Sequence, residues 1–425
     1  MRRLLARVLV CLPAALAACA VGNRPTTLAG QLAAAATAVR EGRIEDAAAQ
    51  IEDARRRFPG SVEAARWSAR LADLLWQDER AIAEQTAAVR LARRSGEKRL
   101  LAAMQGHLGD LLFQAGRWGE SVVPLTAGAL GRQRVRRLAY AAVAATLPFV
   151  RRFSGPILTE QPWRPGAPPE FVCGTRALLR PFAIDTGTSL TTVAASFAEE
   201  LDVRGRRPAG DAFDGTGRRL PIEVGMLSRF GIGGVDIGDI PVLVVSDRAL
   251  RLRDFHGGPE REPRGVLGLD LLAACRLTID PERGSVVLEL PQGLPGSSSV
   301  QCVRADGRCL VPVVVEGVRL WFVFDTGASH SSLTELGLRS IQGGGRRAVP
   351  TFRRVRTVGG ATVAVREVRN LVVRCSGARF VQVTLPVIDR GQSGTFPVHG
   401  VIGVDLLGRC RVTFDRGRVR LAALQ

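Results

Sequence analysis

Apolar residues change their spacing partway along the chain. From residue 27 to about 150, alanine-rich stretches repeat apolar positions every three to four residues, the period of helices with one buried face. Beyond residue 170 the apolar residues come in short runs of strand length: Leu178 to Ile184, Val242 to Val245, Leu277 to Ile279 and Val286 to Leu290, then Val311 to Val315, Leu371 to Val373, Val383 to Ile388 and Val412 to Phe414. Residues 151–170 carry Ser154, Gly155, Pro156, Pro162, Pro165, Gly166, Pro168 and Pro169, and read as a linker. Gly293 to Ser299 reads as a flexible joint between two β regions, 165–292 and 300–425. At 425 residues the chain is long enough for several cores.

The helical part repeats itself. Arg40-Glu41-Gly42-Arg43-Ile44-Glu45-Asp46-Ala47 resembles Gln114-Ala115-Gly116-Arg117-Trp118-Gly119-Glu120-Ser121, with 116 − 42 = 74 residues between the turns. A degenerate copy, Leu75-Trp76-Gln77-Asp78-Glu79-Arg80-Ala81, lies between them. Two steps in 74 residues give a period near 37, similar to tetratricopeptide helical hairpins, whose repeat is about 34. That resemblance implies a concave surface for a protein partner or peptide. The plainer alternative is a spacer.

The β part is duplicated. Asp185-Thr186-Gly187-Thr188-Ser189 and Asp325-Thr326-Gly327-Ala328-Ser329 each follow an apolar strand. Each is followed in turn by a matching block, Gly265-Val266-Leu267-Gly268-Leu269-Asp270-Leu271-Leu272 and Gly400-Val401-Ile402-Gly403-Val404-Asp405-Leu406-Leu407. The aspartates lie 325 − 185 = 140 residues apart and the blocks 400 − 265 = 135 apart. Each half therefore brings one carboxylate.

On these motifs, residues 165 to 425 resemble the bacterial retropepsin-like aspartic proteases. The resemblance implies an α + β multidomain chain: a helical-repeat region, then two homologous all-β acid-protease lobes forming a pseudo-two-fold pair. It also implies an endopeptidase with Asp185 and Asp325 as the catalytic pair, needing no cofactor and no metal. Two carboxyls about 3 Å apart cannot both ionise, so one serves as general base on a water while the other polarises the carbonyl. Gly187 and Gly327 let the loops approach closely. In the family the hydroxyls of Thr186 and Thr326 brace the loops against each other, and Ser189 and Ser329 hydrogen-bond the outer carboxylate oxygens. Flap tips are expected at Gly215 and Gly217 and at Gly359 and Gly360, where glycine suits a hairpin that opens and closes. Neither tip carries the tyrosine of pepsin-like enzymes, since Tyr140 is the only tyrosine in the chain. The alternative is a catalytically inactive scaffold that binds peptide in the same fold.

Charge changes the picture little, and the N-terminus changes it more. The net charge of +19 is almost wholly arginine, Lys98 being the only lysine, and it is spread along the whole chain. No basic cluster is interleaved with aromatics, so no nucleic-acid partner is expected. Residues 1–19 begin Met1-Arg2-Arg3, continue with a largely apolar run and end in Leu16-Ala17-Ala18-Cys19, which resembles a lipoprotein signal and cleavage box. That implies lipidation of Cys19, a membrane anchor and, with Ala20 following, the outer membrane facing the periplasm. A plain cleaved signal is the alternative. Export makes disulfides plausible among Cys173, Cys275, Cys302, Cys309, Cys375 and Cys410, with Cys302 and Cys309 flanking an Ala305-Asp306-Gly307 turn. They equally suit buried thiols. Among His107, His256, His330 and His399 there is no metal-ligand spacing. The linker also predicts that a chain beginning near Pro165 folds and cleaves short peptides by itself.

Overall fold

The computed structural model describes residues 27–128, 132–145, 158–165, 168–213, 219–233, 235–250, 263–343, 347–356, 362–388 and 396–424. Seven helices come first: Leu28–Arg40, Ile44–Arg57, Val62–Leu74, Asp78–Ser95, Lys98–Gln114, Trp118–Ala127 and Arg132–Ala144. Thr27 and Ser61 cap two of them, their hydroxyls accepting from Gly30 N and Ala64 N. Buried alanines such as Ala35, Ala47, Ala69 and Ala88 let the helices pack closely. No described helix is long and apolar enough to cross a membrane.

The recurring turn has a physical basis. Gly42, Trp76 and Gly116 all take a left-handed conformation, with φ of 70°, 61° and 76°. After each, the next residue's N–H reaches back to close the helix: Arg43 N to Ala38 O, Gln77 N to Ala72 O and Arg117 N to Leu112 O, at 2.8 to 2.9 Å. Tryptophan in this conformation costs about 1 kcal/mol. Its packing offsets that cost: Trp76 lies edge-on to Phe414, under the Arg304 guanidinium and beside Gly417. The degenerate middle copy is therefore the turn that docks onto the β region.

The β region repeats its topology strand by strand. One sheet runs Glu170–Thr175, Leu178–Ile184, Gly265–Leu267, Thr192–Ala194, Val235–Val245, Arg219–Ile232, Arg204–Phe213. The other follows the same order with Arg308–Val315, Val318–Phe324, Gly400–Ile402, Ser332–Leu333, Ala378–Val387, Thr362–Cys375 and Val349–Arg356, preceded by Val303–Ala305. A third, six-stranded sheet takes three strands from each half, and its centre pairs Arg276–Asp280 antiparallel with Cys410–Asp415. There Thr278 faces Thr413, with Leu277 opposite Phe414 and Ile279 opposite Val412. These two threonines are 413 − 278 = 135 residues apart, so the local two-fold passes through their pair.

Three expectations from the sequence change. Within 151–170, Leu158–Pro162 is a strand, paired with Ser285–Glu289 along the edge of the six-stranded sheet, where proline is tolerated. The Gly293–Ser299 joint is tied down: Gln292 N and Gly293 N donate to Asp415 Oδ2 at 3.0 and 2.8 Å, and Arg418 Nε donates to Ser299 Oγ at 2.8 Å. No disulfide joins the described cysteines. All six are buried, and Cys302 lies beside Cys309, with burial first and that neighbour second raising its pKa.

The helices are not a separate body. The first three pack Val39, Ile44, Ile51, Leu71 and Leu74 against Leu310, Trp321, Val323 and Val401 of the second lobe. Gly42 sits so close to Trp321 that a Cβ there would fall 2.3 Å from Nε1, which donates to Gly42 O at 2.9 Å. The last helices pack Phe113, Trp118 and Tyr140 against Leu190, Val224 and Leu243 of the first lobe. Each such side chain contributes about 1.5–3 kcal/mol on burial. A chain beginning near Pro165, stripped of these partners and of Leu158–Pro162, is therefore expected to aggregate or to melt without cooperativity. Cooperative unfolding of that fragment at the full chain's stability would show the helical layer to be dispensable.

Candidate active site

Both Asp-Thr-Gly loops are built the same way. The strand Leu178–Ile184 runs parallel to Gly265–Leu267, and Asp185 N donates to Leu267 O at 3.1 Å. Val318–Phe324 runs parallel to Gly400–Ile402, and Asp325 N donates to Ile402 O at 3.1 Å. Each strand is held on both sides by hydrogen bonds, so the loop at its end starts from a rigid base.

The two loops grip each other. Thr186 Oγ1 donates to Phe324 O at 2.7 Å and accepts from Thr326 N at 3.1 Å. Thr326 Oγ1 donates to Ile184 O at 2.7 Å and accepts from Thr186 N at 3.1 Å. Both threonines are fully buried, so this ring of four bonds is shielded from water. Each glycine lies against the opposite carboxyl: a Cβ on Gly187 would fall 2.6 Å from Asp325 Cγ, and one on Gly327 would fall 2.6 Å from Asp185 Cγ. Only glycine permits this approach. Each carboxylate also accepts backbone N–H groups from its own loop, Gly187 N on Asp185 Oδ1 at 2.8 Å, and Gly327 N and Ala328 N on Asp325 Oδ1 at 3.0 and 2.9 Å.

The serines do not play the part the resemblance implied. The hydroxyl on the outer oxygen of Asp185 belongs to Thr188, whose Oγ1 donates to Oδ2 at 2.7 Å. Ser189 is exposed and packs beside Gly307 of the other lobe. The reason is local: Thr188 N folds back onto Asp185 O at 3.2 Å, which brings residue 188, not 189, over the carboxylate. In the second lobe that position is Ala328, which has no hydroxyl. The two halves therefore differ at one bond.

Behind the loops lies a second symmetric arrangement that sequence reasoning missed. Asp270 Oδ1 accepts from Thr191 N and Thr191 Oγ1 at 2.9 and 2.7 Å, and that hydroxyl accepts from Gly268 N at 3.2 Å. Asp405 Oδ1 accepts from Ser331 N and Ser331 Oγ at 2.8 and 2.6 Å, and Ser331 Oγ accepts from Gly403 N at 2.9 Å. The signal was present, because Thr191 and Ser331 are hydroxyl residues spaced by the same 331 − 191 = 140 as the aspartates. On one side the helical layer adds to it. The Tyr140 hydroxyl, fully buried, lies 2.9 Å from both Asp270 Oδ2 and Pro241 O. The flap candidates Gly215, Gly217, Gly359 and Gly360, and Cys19, lie outside the described residues.

Comparison with known proteins agrees with this geometry. Residues 172–271 and 311–406 each match the family described as aspartyl protease, which supports a retropepsin-like aspartyl protease with tandem lobes. A peptide or protein substrate follows from that family. No curated protein matches the chain.

Proposed function

We propose that the protein is an aspartic endopeptidase in which Asp185 and Asp325 act as one acid–base pair. The observation that carries this reading is the reciprocal threonine grip, which sets each carboxyl against the other loop's glycine. In the reaction one carboxylate takes a proton from water as the water attacks the peptide carbonyl, and the other carboxyl donates to the carbonyl oxygen. The amine leaves after receiving a proton from the pair. The pair titrates as a unit, so neither aspartate holds one role permanently. The bond from Thr188 to Asp185, absent at Ala328, orients one carboxylate more firmly than the other. Substrate lies extended between the lobes, pairing with flap backbone as an added strand. Gly215, Gly217, Gly359 and Gly360 are the proposed flap tips. A protein partner of the helices would use the faces turned away from the lobes.

Incubation of the mature protein with an unbiased peptide mixture is expected to yield internal cleavages that a transition-state peptide inhibitor abolishes. Intact peptides, or cleavage indifferent to the inhibitor, would leave no place for this reading.

We also place the protein at the periplasmic face of the outer membrane, anchored through Cys19. More than one acyl chain makes such an anchor stable. Cys19→Ser is expected to move the protein from the detergent phase to the aqueous phase. Unchanged partitioning would show the anchor to be elsewhere.

A further inference from the structure

A cavity of about 620 Å³ opens where the helical layer meets both lobes, and neither Asp185 nor Asp325 lines it. This is the size of a small-molecule site. Its walls include Trp76 and Gln114 from two of the recurring helix turns, Arg136 from the last helix, and Leu190 and Leu269 from the first lobe. Leu290 stands at its edge, 40% exposed, one of few large apolar side chains left in water among the described residues.

The cavity holds three unmet hydrogen-bonding atoms. Trp76 Nε1, Gln114 Oε1 and Arg136 Nε are buried and have no partner among the described residues. Of the eight such atoms in the described structure, these three line one cavity. Buried polar groups are nearly always paired, so a cluster of orphans points to an occupant. Arg136 spends another of its nitrogens on Asp211 O, which holds the guanidinium in place, and the Trp76 ring is fixed under Arg304 at 4.9 Å. The wall carboxylates do not neutralise the orphan donors: Asp78 is paired with Arg304, and Asp270 is held by Thr191 and Tyr140.

The unmet chemistry is thus two N–H donors, one of them cationic, one amide acceptor, and apolar walls. Two converging donors with a positive charge suit a carboxylate. A lone acceptor suits an N–H, and Leu190 and Leu269 suit an aliphatic side chain. One chemical unit carries all three: the carboxy-terminal residue of a peptide. We propose that this cavity binds the free C-terminus of a peptide ending in an apolar residue, with its carboxylate on Trp76 Nε1 and Arg136 Nε and its amide N–H on Gln114 Oε1. The site rests on the cavity alone. If the chain is also an endopeptidase, each cleavage creates such a C-terminus on the amino-side product.

N-acetyl-L-leucine carries the full set of groups and serves as the probe. Titrated calorimetrically into the full mature chain, it is expected to bind at one site per chain. N-acetyl-L-leucinamide, which lacks the charge, and 4-methylpentanoate, which lacks the N–H, are each expected to bind at least about tenfold more weakly. Arg136→Met and Gln114→Glu should each reduce affinity for the probe by about the same factor, the second by setting a carboxylate against the ligand's own. Should one variant fail to fold, the other and the ligand series still decide. The Asp185→Asn/Asp325→Asn double variant should bind the probe unchanged, which separates this site from the cleft whatever the outcome for catalysis. No saturable binding by the folded chain would overturn the assignment. So would equal affinity for acid and amide, or binding lost in the double Asn variant and indifferent to Arg136 and Gln114.

Discussion

Asp185→Asn and Asp325→Asn are each expected to lower peptide turnover by at least about 10³-fold, because one carboxyl beside an amide cannot pass the proton that water attack requires. The fold should survive. Asn keeps the Oδ1 that accepts Gly187 N at residue 185, and the one that accepts Gly327 N and Ala328 N at residue 325. Thr188 can turn its hydroxyl to accept from the new amide instead of donating. Thermal unfolding of both variants should therefore lie within a few degrees of the parent, a shift worth under about 1 kcal/mol. Mixing the two inactive variants should restore nothing. The halves share a six-stranded sheet within one chain, and exchanging them would break the pairing of Arg276–Asp280 with Cys410–Asp415. Pairing of equivalent lobes from different chains predicts the opposite, namely that each single variant retains one intact kind of site and loses activity on dilution. Substantial turnover by either single variant would decide for that arrangement.

Arg304→Leu is expected to cost about 3–5 kcal/mol at neutral pH, the range for removing one partner of a buried ion pair. Arg304 is 8% exposed, donates to Asp73 at 2.7 Å and also pairs with Asp78. Burial already raises the pKa of Asp73, and Arg304 is the chief group opposing that rise. Without the guanidinium the carboxyl moves further up. A carboxyl whose folded value exceeds its unfolded value binds more protons in the native state, so stability falls as pH rises between the two values. The deficit of the variant should therefore be smaller at pH 5 than at pH 7.5. Urea unfolding of parent and variant at both values measures it; a deficit equal at the two, or below about 1 kcal/mol at pH 7.5, would show that the pair contributes little.

Much of this arrangement was legible beforehand, and the misses are specific. The duplicated loops, their strands and the downstream blocks were all marked by residue type at constant offset. So was the Asp306-Gly307 turn, whose two residues both take positive φ, 51° and 73°. Which hydroxyl meets Asp185 was not, because Thr188 and Ser189 are adjacent and only the backbone turn chooses between them. Trp76 looked like a decayed glycine position, yet it adopts the glycine conformation because Phe414 and Arg304 hold its ring. Proline and glycine made 151–170 look like a tether, while Leu158–Pro162 is drawn into a sheet by partners more than 120 residues away.

The sequence by itself determined the local period of each region, the duplication and the pair of carboxylates, since these depend on residue type and spacing within a few turns of chain. Only the tertiary structure decided what the helical layer covers. Its buried faces are amphipathic in a way that would suit a partner protein, a spacer or the lobes equally well, and period carries no information about the surface on the other side. Tyr140 illustrates the difference: in the chain it is one tyrosine in a helix, and in the fold it is the helical layer's hydrogen bond to the carboxylate behind the Asp185 loop.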